Sequence, residues 1–486
     1  MRMKKMRKCF VALMLIVTGL MLTGFTPYES YTYSTATGGE EYVYSPAPYT
    51  PYDCLDAQSI GTTLSRPVDF AFDDNGCLYI VDSGLNKLII LNQEGHVQRE
   101  ISSFDNEGQE DFFYGPNGFF LTDDHTLYIC DTENSRIVVL DENGELIRIY
   151  SCPSSPLLGD EYNFRPSKIV VDEAGTMYVI NTNEYSGLMK LSEEGEFISF
   201  IGSNKSVVNP LLKIWKSILT ETQKAKMISF VPVEYENISM DNEGFIYAVC
   251  ASSSENTPVK RLNLSGTDIL VRSGYVEIAG DVISPENDAS ILVDICSADN
   301  GDYFVLDSNK CRIFTYNQEG YLLYAFGRAG NQLGTFKNPS AIECYQDKLY
   351  VLDSVSATIT IFDKTEYAKE IEMASNCYYA GDYEQSEELW NSVLKSNAFY
   401  ELAYTYLGKI NLKNGDNVKA MKYFELGNYR GDKITFMTGY NKAASENRKE
   451  MMAKYLGLIV VTVIVLCVLG ALVKKWRAKN AGKEVE

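Results

Sequence analysis

Residues 66–101 read RPVDFAFDDNGCLYIVDSGLNKLIILNQEGHVQREI. Short β-rich runs are separated by turn residues such as Asn75-Gly76. The same layout returns at 115–150 as GPNGFFLTDDHTLYICDTENSRIVVLDENGELIRIY and at 165–202 as RPSKIVVDEAGTMYVINTNEYSGLMKLSEEGEFISFIG. Two later units contain DICSADNGDYFVLDSNKCRIFTYNQEGYLLYAFG and NPSAIECYQDKLYVLDSVSATITIFD. A divergent unit between them holds YENISMDNEGFIYAVC and VKRLNLSGTDILV. Asp82, Asp131, Asn181, Cys250, Asp307 and Asp353 fall at equivalent positions, spaced by 49, 50, 69, 57 and 46 residues. A period near fifty with about four strands per unit is that of a propeller blade. An insertion at 203–231 accounts for the long spacing of 69.

The units resemble the NHL-repeat family. The resemblance is carried by Pro67, Pro116, Pro166 and Pro339 before the inner strand, and by the run Leu/Met-Tyr-Ile/Val-x-Asp/Asn. The link Phe326-Gly327-Arg328-Ala329-Gly330 with Gly334-Thr335-Phe336 also matches. It covers residues 60–365; the fourth unit departs, lacking the Pro and carrying Cys250 for the Asp. The resemblance implies an all-β six-bladed propeller. Its ring must close, since an open sheet edge invites aggregation, and a strand from about 50–62 is expected to complete the last blade.

The ends suggest a topology. Arg2, Lys4, Lys5, Arg7 and Lys8 precede an apolar run from Phe10 to Phe25, the layout of an export signal over 1–27. No lipobox Cys follows Leu22-Thr23-Gly24, and cleavage or retention as a signal anchor stays open. Tyr455–Val473 is an uncharged apolar run long enough to span a bilayer as a helix. Lys474, Lys475, Arg477, Lys479 and Lys483 follow, which predicts a cytoplasmic tail over 474–486 and an exterior location for the rest. Of the net charge of −21, the segment between the two basic ends carries −29. So acidic a domain excludes phosphate-directed nucleic-acid binding.

Residues 28–59 form a Tyr/Pro-rich segment, with seven tyrosines from Tyr28 to Tyr52. Extended packing against the ring is expected there, with a flexible linker or a sugar-stacking platform as alternatives. After the ring, Gly381-Asp382 and Gly415-Asp416 lie 34 residues apart, the tetratricopeptide length. Two helical hairpins are expected across 366–428 in a tetratricopeptide-like region of 366–446, with a further helix from about 432 running toward the span. In the insertion, Val208, Leu211, Leu212, Trp215, Ile218 and Leu219 recur at helical spacing beside five lysines. That pattern suits a helix packed on the propeller, or one that grips a lipid surface or partner.

The chemistry on offer is sparse. His96 and His125 are the two histidines, both in turn-like segments, too few for a His-rich metal site or a His-centred triad. Nine cysteines lie outside the apolar ends, an odd number without a CxxC pair. The bland reading is small buried hydrophobes, not a full disulfide framework. The repeated aspartates suit turn stabilisation, because a catalytic site is needed once and these recur in nearly every unit. The first positions expected to face a central channel are Asp69, Gly118, Lys168, Asn237, Asp294 and Ala341. Asp69, Asn237 and Asp294 offer oxygens for Ca2+, although Lys168 in the same ring argues against a clean cation site.

Two functions follow as expectations. The first is a single-pass, membrane-anchored extracellular binding or sensing module without catalysis or cofactor, of the Gram-positive surface type. Its propeller face would recognise a small molecule or partner protein, with a link to solute uptake. The second is a calcium-dependent, lactonase-like hydrolase working in the channel.

Overall fold

The computed structural model describes residues 30–34, 41–159, 161–203, 234–251, 257–274, 276–281, 289–427 and 434–481. The expected signal segment and nearly all of the helical insertion lie outside them. The chain divides into two compact units, one built mainly on Tyr42–Lys369 and the other on Glu370–Glu486.

The first unit is a six-bladed β-propeller. Blade 1 runs through Pro67–Phe72, Leu78–Asp82, Lys87–Leu91 and Val97–Ile101, paired antiparallel in that order. Blade 2 begins at Pro116–Leu121 and blade 3 at Pro166–Val171, each with four strands. Blade 4, from Tyr235–Met240 to Val259–Leu262, has three among the described residues. Blade 5 begins at Leu292–Ser297 and blade 6 at Pro339–Tyr345.

Closure is made by the segment ahead of the repeats. Tyr49–Leu55 pairs antiparallel with Thr358–Lys364 and becomes the fourth strand of blade 6, a little earlier than the 50–62 expected. Ser30–Ser34 adds to the outer edge of blade 5 beside Leu322–Phe326, and Glu41–Tyr44 extends that sheet to six strands. These Tyr-rich stretches are therefore strands of the propeller.

The middle strands of each blade are buried on both faces, packed between neighbouring blades. Leu78–Asp82, Lys87–Leu91 and Tyr303–Asp307 are buried throughout. Continuous apolar runs such as Leu88, Ile89, Ile90 and Leu91 suit that environment, and each such side chain contributes about 1.5–3 kcal/mol on burial. The repeated acidic residue then ties strand to loop. Buried Asp82 accepts from the backbone N–H groups of Ser65 (2.7 Å), Arg66 (3.1 Å), Gly84 (2.9 Å) and Leu85 (3.0 Å). Asp353 does the same for Lys337, Asn338, Val355 and Ser356. These carboxylates satisfy loop donors that would otherwise be left unpaired beside the core.

In the second unit, helices Tyr383–Ser396, Glu401–Lys413 and Asn417–Gly427 follow Glu366–Ala380. The Gly-Asp repeats are helix boundaries. Gly381 and Gly415 adopt φ of 85° and 80°, the left-handed geometry that ends a helix. Asp382 and Asp416 then cap the next helix by accepting from Gln385 N and Lys419 N, each at 3.1 Å. Trp390 stacks on Tyr406 with centroids 5.0 Å apart, and Gly408 lets Phe424 approach within the span of a missing Cβ. The last helix, Ile434–Ala481, holds a window of mean hydropathy 3.1 with none of it buried. By length and composition it is able to cross a membrane.

Candidate functional site: the polar ring of the channel

Every blade places one residue by the same device. The register of the inner strand shifts just ahead of Asp69, Gly118, Lys168, Asn237, Asp294 and Ala341. Each of the six then pairs with the residue just before the repeated Asp, Asn or Cys, as Asp69 pairs with Val81 and Asp294 with Leu306. A bulge re-aims the side chain that follows it. Six such bulges make these positions structural equivalents.

Three blades meet in one ion pair. Lys168 of blade 3 reaches over Gly118 of blade 2, and its Nζ lies 3.0 Å from Asp69 Oδ2 of blade 1. A Cβ on Gly118 would stand 2.6 Å from Lys168 Cδ and 2.5 Å from Ser167 O, so glycine opens the path. The ammonium is buried and sits at ion-pair distance without the angles of a hydrogen bond. Asp69 is held in turn by Phe70 N at 3.2 Å and Phe119 N at 3.3 Å.

Blades 4 and 5 form the second group. Asn237 Nδ2 donates to Asp294 Oδ1, and Asn237 Oδ1 accepts from Ile238 N at 2.8 Å. Asp294 also accepts from Ile295 N at 2.7 Å and from Ile342 N of blade 6 at 2.6 Å. Burial pushes the Asp294 carboxyl up to about 7, while Lys168 and the backbone donors pull it down and Asp69 adds to the rise. The two groups therefore sense each other's charge.

Sequence reasoning passed over Glu343. It lies two residues beyond Ala341 on the inner strand of blade 6, so the two-residue alternation of a strand puts both on one face. Burial first, then the Asp294 and Asp69 charges, push its carboxyl up to about 8. The period of two was the available signal.

The ring's donors and acceptors are turned toward one another. Calcium needs about six to eight oxygens around one point. Here Asp69 faces an ammonium, and the Asn237 amide and Asp294 carboxyl are joined. Among the described residues, no cluster of three His, Cys, Asp or Glu side chains is placed to hold a metal. The two histidines stay in turns: His125 lies beside Asn75 and Asp73, with Nδ1 3.8 Å from Asp73 Oδ2.

No family model matches the chain, and no curated protein matches it. Solved structures do. A selenomethionine-substituted virginiamycin B lyase from Staphylococcus aureus is 12% identical, covering 64% of this chain and 99% of its own at a TM-score of 0.40. A protein of unknown function from Bacteroides thetaiotaomicron is 11% identical, covering 69% and 90% at a TM-score of 0.43. The extracellular domain of a protein named as a hybrid two-component system from the same species is 13% identical, covering 67% and 36% at 0.36. The six-bladed assignment rests on the strand pairing above.

Proposed function

We propose that the chain is a membrane-anchored binding module: an NHL-type propeller held outside the cell, spaced by tetratricopeptide-like hairpins from a single transmembrane helix. The observation that carries the reading is the exposure of the last helix. Leu458, Ile464, Leu466 and Leu472 are each more than half exposed, a surface that water disfavours and a hydrocarbon layer accepts. The propeller face takes a small molecule or a partner protein. The polar ring supports a non-catalytic role, because the Asp69 and Asp294 carboxylates are engaged by Lys168, Asn237 and backbone N–H groups. The same pairing gives no support to a calcium-dependent lactonase.

The test is carried out on cells expressing the full chain. The protein is expected to stay with membranes after an alkaline carbonate wash, and an external protease is expected to remove the propeller from intact cells. Recovery in the soluble fraction, or full protection from protease, would defeat the reading. Calorimetric titration of the detergent-solubilised chain with Ca2+ is expected to give no heat of binding. Binding lost in Asp69→Ala and Asp294→Ala would restore the hydrolase.

A further inference from the structure

The seam between blades 5 and 6 differs from the others at the channel end. Asp294 of blade 5 touches Ile342 of blade 6 through its carboxylate and the backbone N–H. Two residues further along both inner strands stand Cys296 and Cys344. Both contacts have the same sequence offset, 48, so the cysteines occupy the next rung of one seam. Their Sγ atoms are 2.7 Å apart, closer than unbonded sulfurs pack, and both are thiols in this structure. The corresponding positions are Ala71 with Leu121 at the seam of blades 1 and 2, and Ser239 with Ser297 at that of blades 4 and 5. Cys311, the buried cysteine nearest in sequence, turns instead to Ser308 O at 3.6 Å.

We propose that Cys296 and Cys344 are a redox-closed staple, forming a disulfide that ties blade 5 to blade 6 at the channel. The location suits such a bond. At its outer edge this seam is already joined, because Tyr49 of blade 6 stacks on Phe326 of blade 5 with centroids 5.2 Å apart. The inner edge has the Asp294 contact and the two thiols. A covalent bond there fixes both edges of the seam. One bridge also agrees with an odd cysteine count, which argues against a full framework and not against a single pair.

The two thiols are unequal in a useful way. Cys296 is 1% exposed, while Cys344 is half-buried. The Cys344 thiolate attacks a small disulfide, such as oxidised glutathione, and expels one thiol. The mixed disulfide is then attacked by the Cys296 thiolate at Cys344 Sγ, which expels the second thiol. The S–S bond of the small disulfide breaks and the Cys296–Cys344 bond forms. Two electrons and the two cysteine protons pass to the released thiols. Burial raises both thiols above their ordinary range, so the exchange runs faster as pH rises.

The reduced full-length protein in detergent is incubated with oxidised glutathione at pH 8.5, alkylated under denaturing conditions and mapped by mass spectrometry. A linked peptide holding Cys296 and Cys344, released by reductant, is the expected result. The oxidised protein is expected to melt about 5–10 °C above the reduced one. Recovery of both cysteines as alkylated thiols, or linkage of either to a different cysteine, would overturn the proposal. The mapping uses the unaltered chain. Cys344→Ser serves as a check, since it should leave Cys296 alkylated after the same treatment.

Discussion

Lys168 Nζ and Asp69 Oδ2 stand 3.0 Å apart although their strands belong to blades 3 and 1, with only Gly118 between them. The pair crosses two seams and joins three blades through one contact. Both side chains are largely buried, at 10% and 14% exposure. Breaking such a pair from one side leaves an uncompensated charge, so Lys168→Met is expected to cost about 3 kcal/mol. Replacing both partners, as Lys168→Met with Asp69→Leu, should recover most of that loss. Chemical denaturation followed by circular dichroism on the two variants tests the coupling; equal stability of single variant and parent would show that the ion pair contributes nothing.

Gly118 makes that crossing possible, so its substitution should act through Lys168. A Cβ there meets the carbonyl of Ser167 at 2.5 Å, and backbone cannot swing aside as a side-chain tip does. Gly118→Ala is expected to cost about 1–3 kcal/mol. In a Lys168→Ala background the clash with the carbonyl remains while the δ-carbon is gone, so the loss should shrink without vanishing. Additive losses would mean that the two residues do not meet.

Asp294 makes the stability of the propeller depend on pH in a direction opposite to most aspartates. Its carboxyl is raised from the ordinary 3.8 to about 7, chiefly by burial. Between those values the folded chain holds a proton that the unfolded chain has released, so stability falls as pH rises from 4 to 7. At about 1.4 kcal/mol per pH unit, the contribution is a few kcal/mol. Asp294→Asn is expected to flatten this slope, read from unfolding free energies at pH 4.5, 6 and 7.5. Lys168→Met should steepen it, because the ammonium holds the carboxyl down. An unchanged slope in both variants would remove Asp294 as its source.

The blade repeat was legible because most units write two constraints in sequence: Pro ahead of the inner strand in four of the six, and a side-chain acceptor at Asp82 and its equivalents in five. Both are local, and local chemistry survives in a single sequence. The ring positions could be read for the same reason, as offsets within the repeat. Their pairing could not. Whether Lys168 turns to Asp69 depends on Gly118 lying between them, a relationship across about one hundred residues that no spacing encodes. Glu343 was missed by attending to the first position of each inner strand and not the third. The two strands ahead of Tyr49 were readable only as a composition, since tyrosine and proline spacing does not specify which blade edge accepts them.

Arg136 is expected to control the hairpin Ser103–Asn106 and Gln109–Phe112, which stands between blades 1 and 2. Its guanidinium forks onto Asp111 with Nη1 at 2.6 Å and Nη2 at 2.9 Å, and its Nε reaches fully buried Asp131 at 2.8 Å. Arg136→Ala removes the counter-charge of Asp131, which keeps its hydrogen bonds from Tyr114 N and Asn134 Nδ2, and loosens the hairpin, for a loss of about 3 kcal/mol. Arg136→Lys cannot reproduce the fork and should restore less than half. The Arg136 hydrogen bond holds Asp111 down to about 2. Its contribution is therefore present above pH 3.8 and lost as pH falls toward 2, and the alanine variant should lack that acid-side loss. Parent and variant with the same acid unfolding curve would refute this account.

Asp281 is expected to act as the latch for the first strand. Its carboxylate accepts from Tyr31 Oη at 2.8 Å and from Tyr33 Oη, and it pairs with Arg312, which belongs to blade 5. All of these bring Ser30–Ser34 onto the blade through side chains, while the backbone register of that pairing covers only Ser30 with Phe326 and Tyr31 with Ala325. A strand with so short a ladder depends on its side chains to stay in place. Asp281→Ala removes the carboxylate that both phenols share as an acceptor and that Arg312 pairs with. Residues 30–34 should then exchange their amide hydrogens at least tenfold faster, with little change at Tyr49–Leu55, whose longer ladder to Thr358–Lys364 is independent of the latch. Asp281→Asn, which keeps one acceptor for the tyrosines, should fall between. Equal protection of residues 30–34 in all three proteins would show that the backbone ladder alone holds the strand.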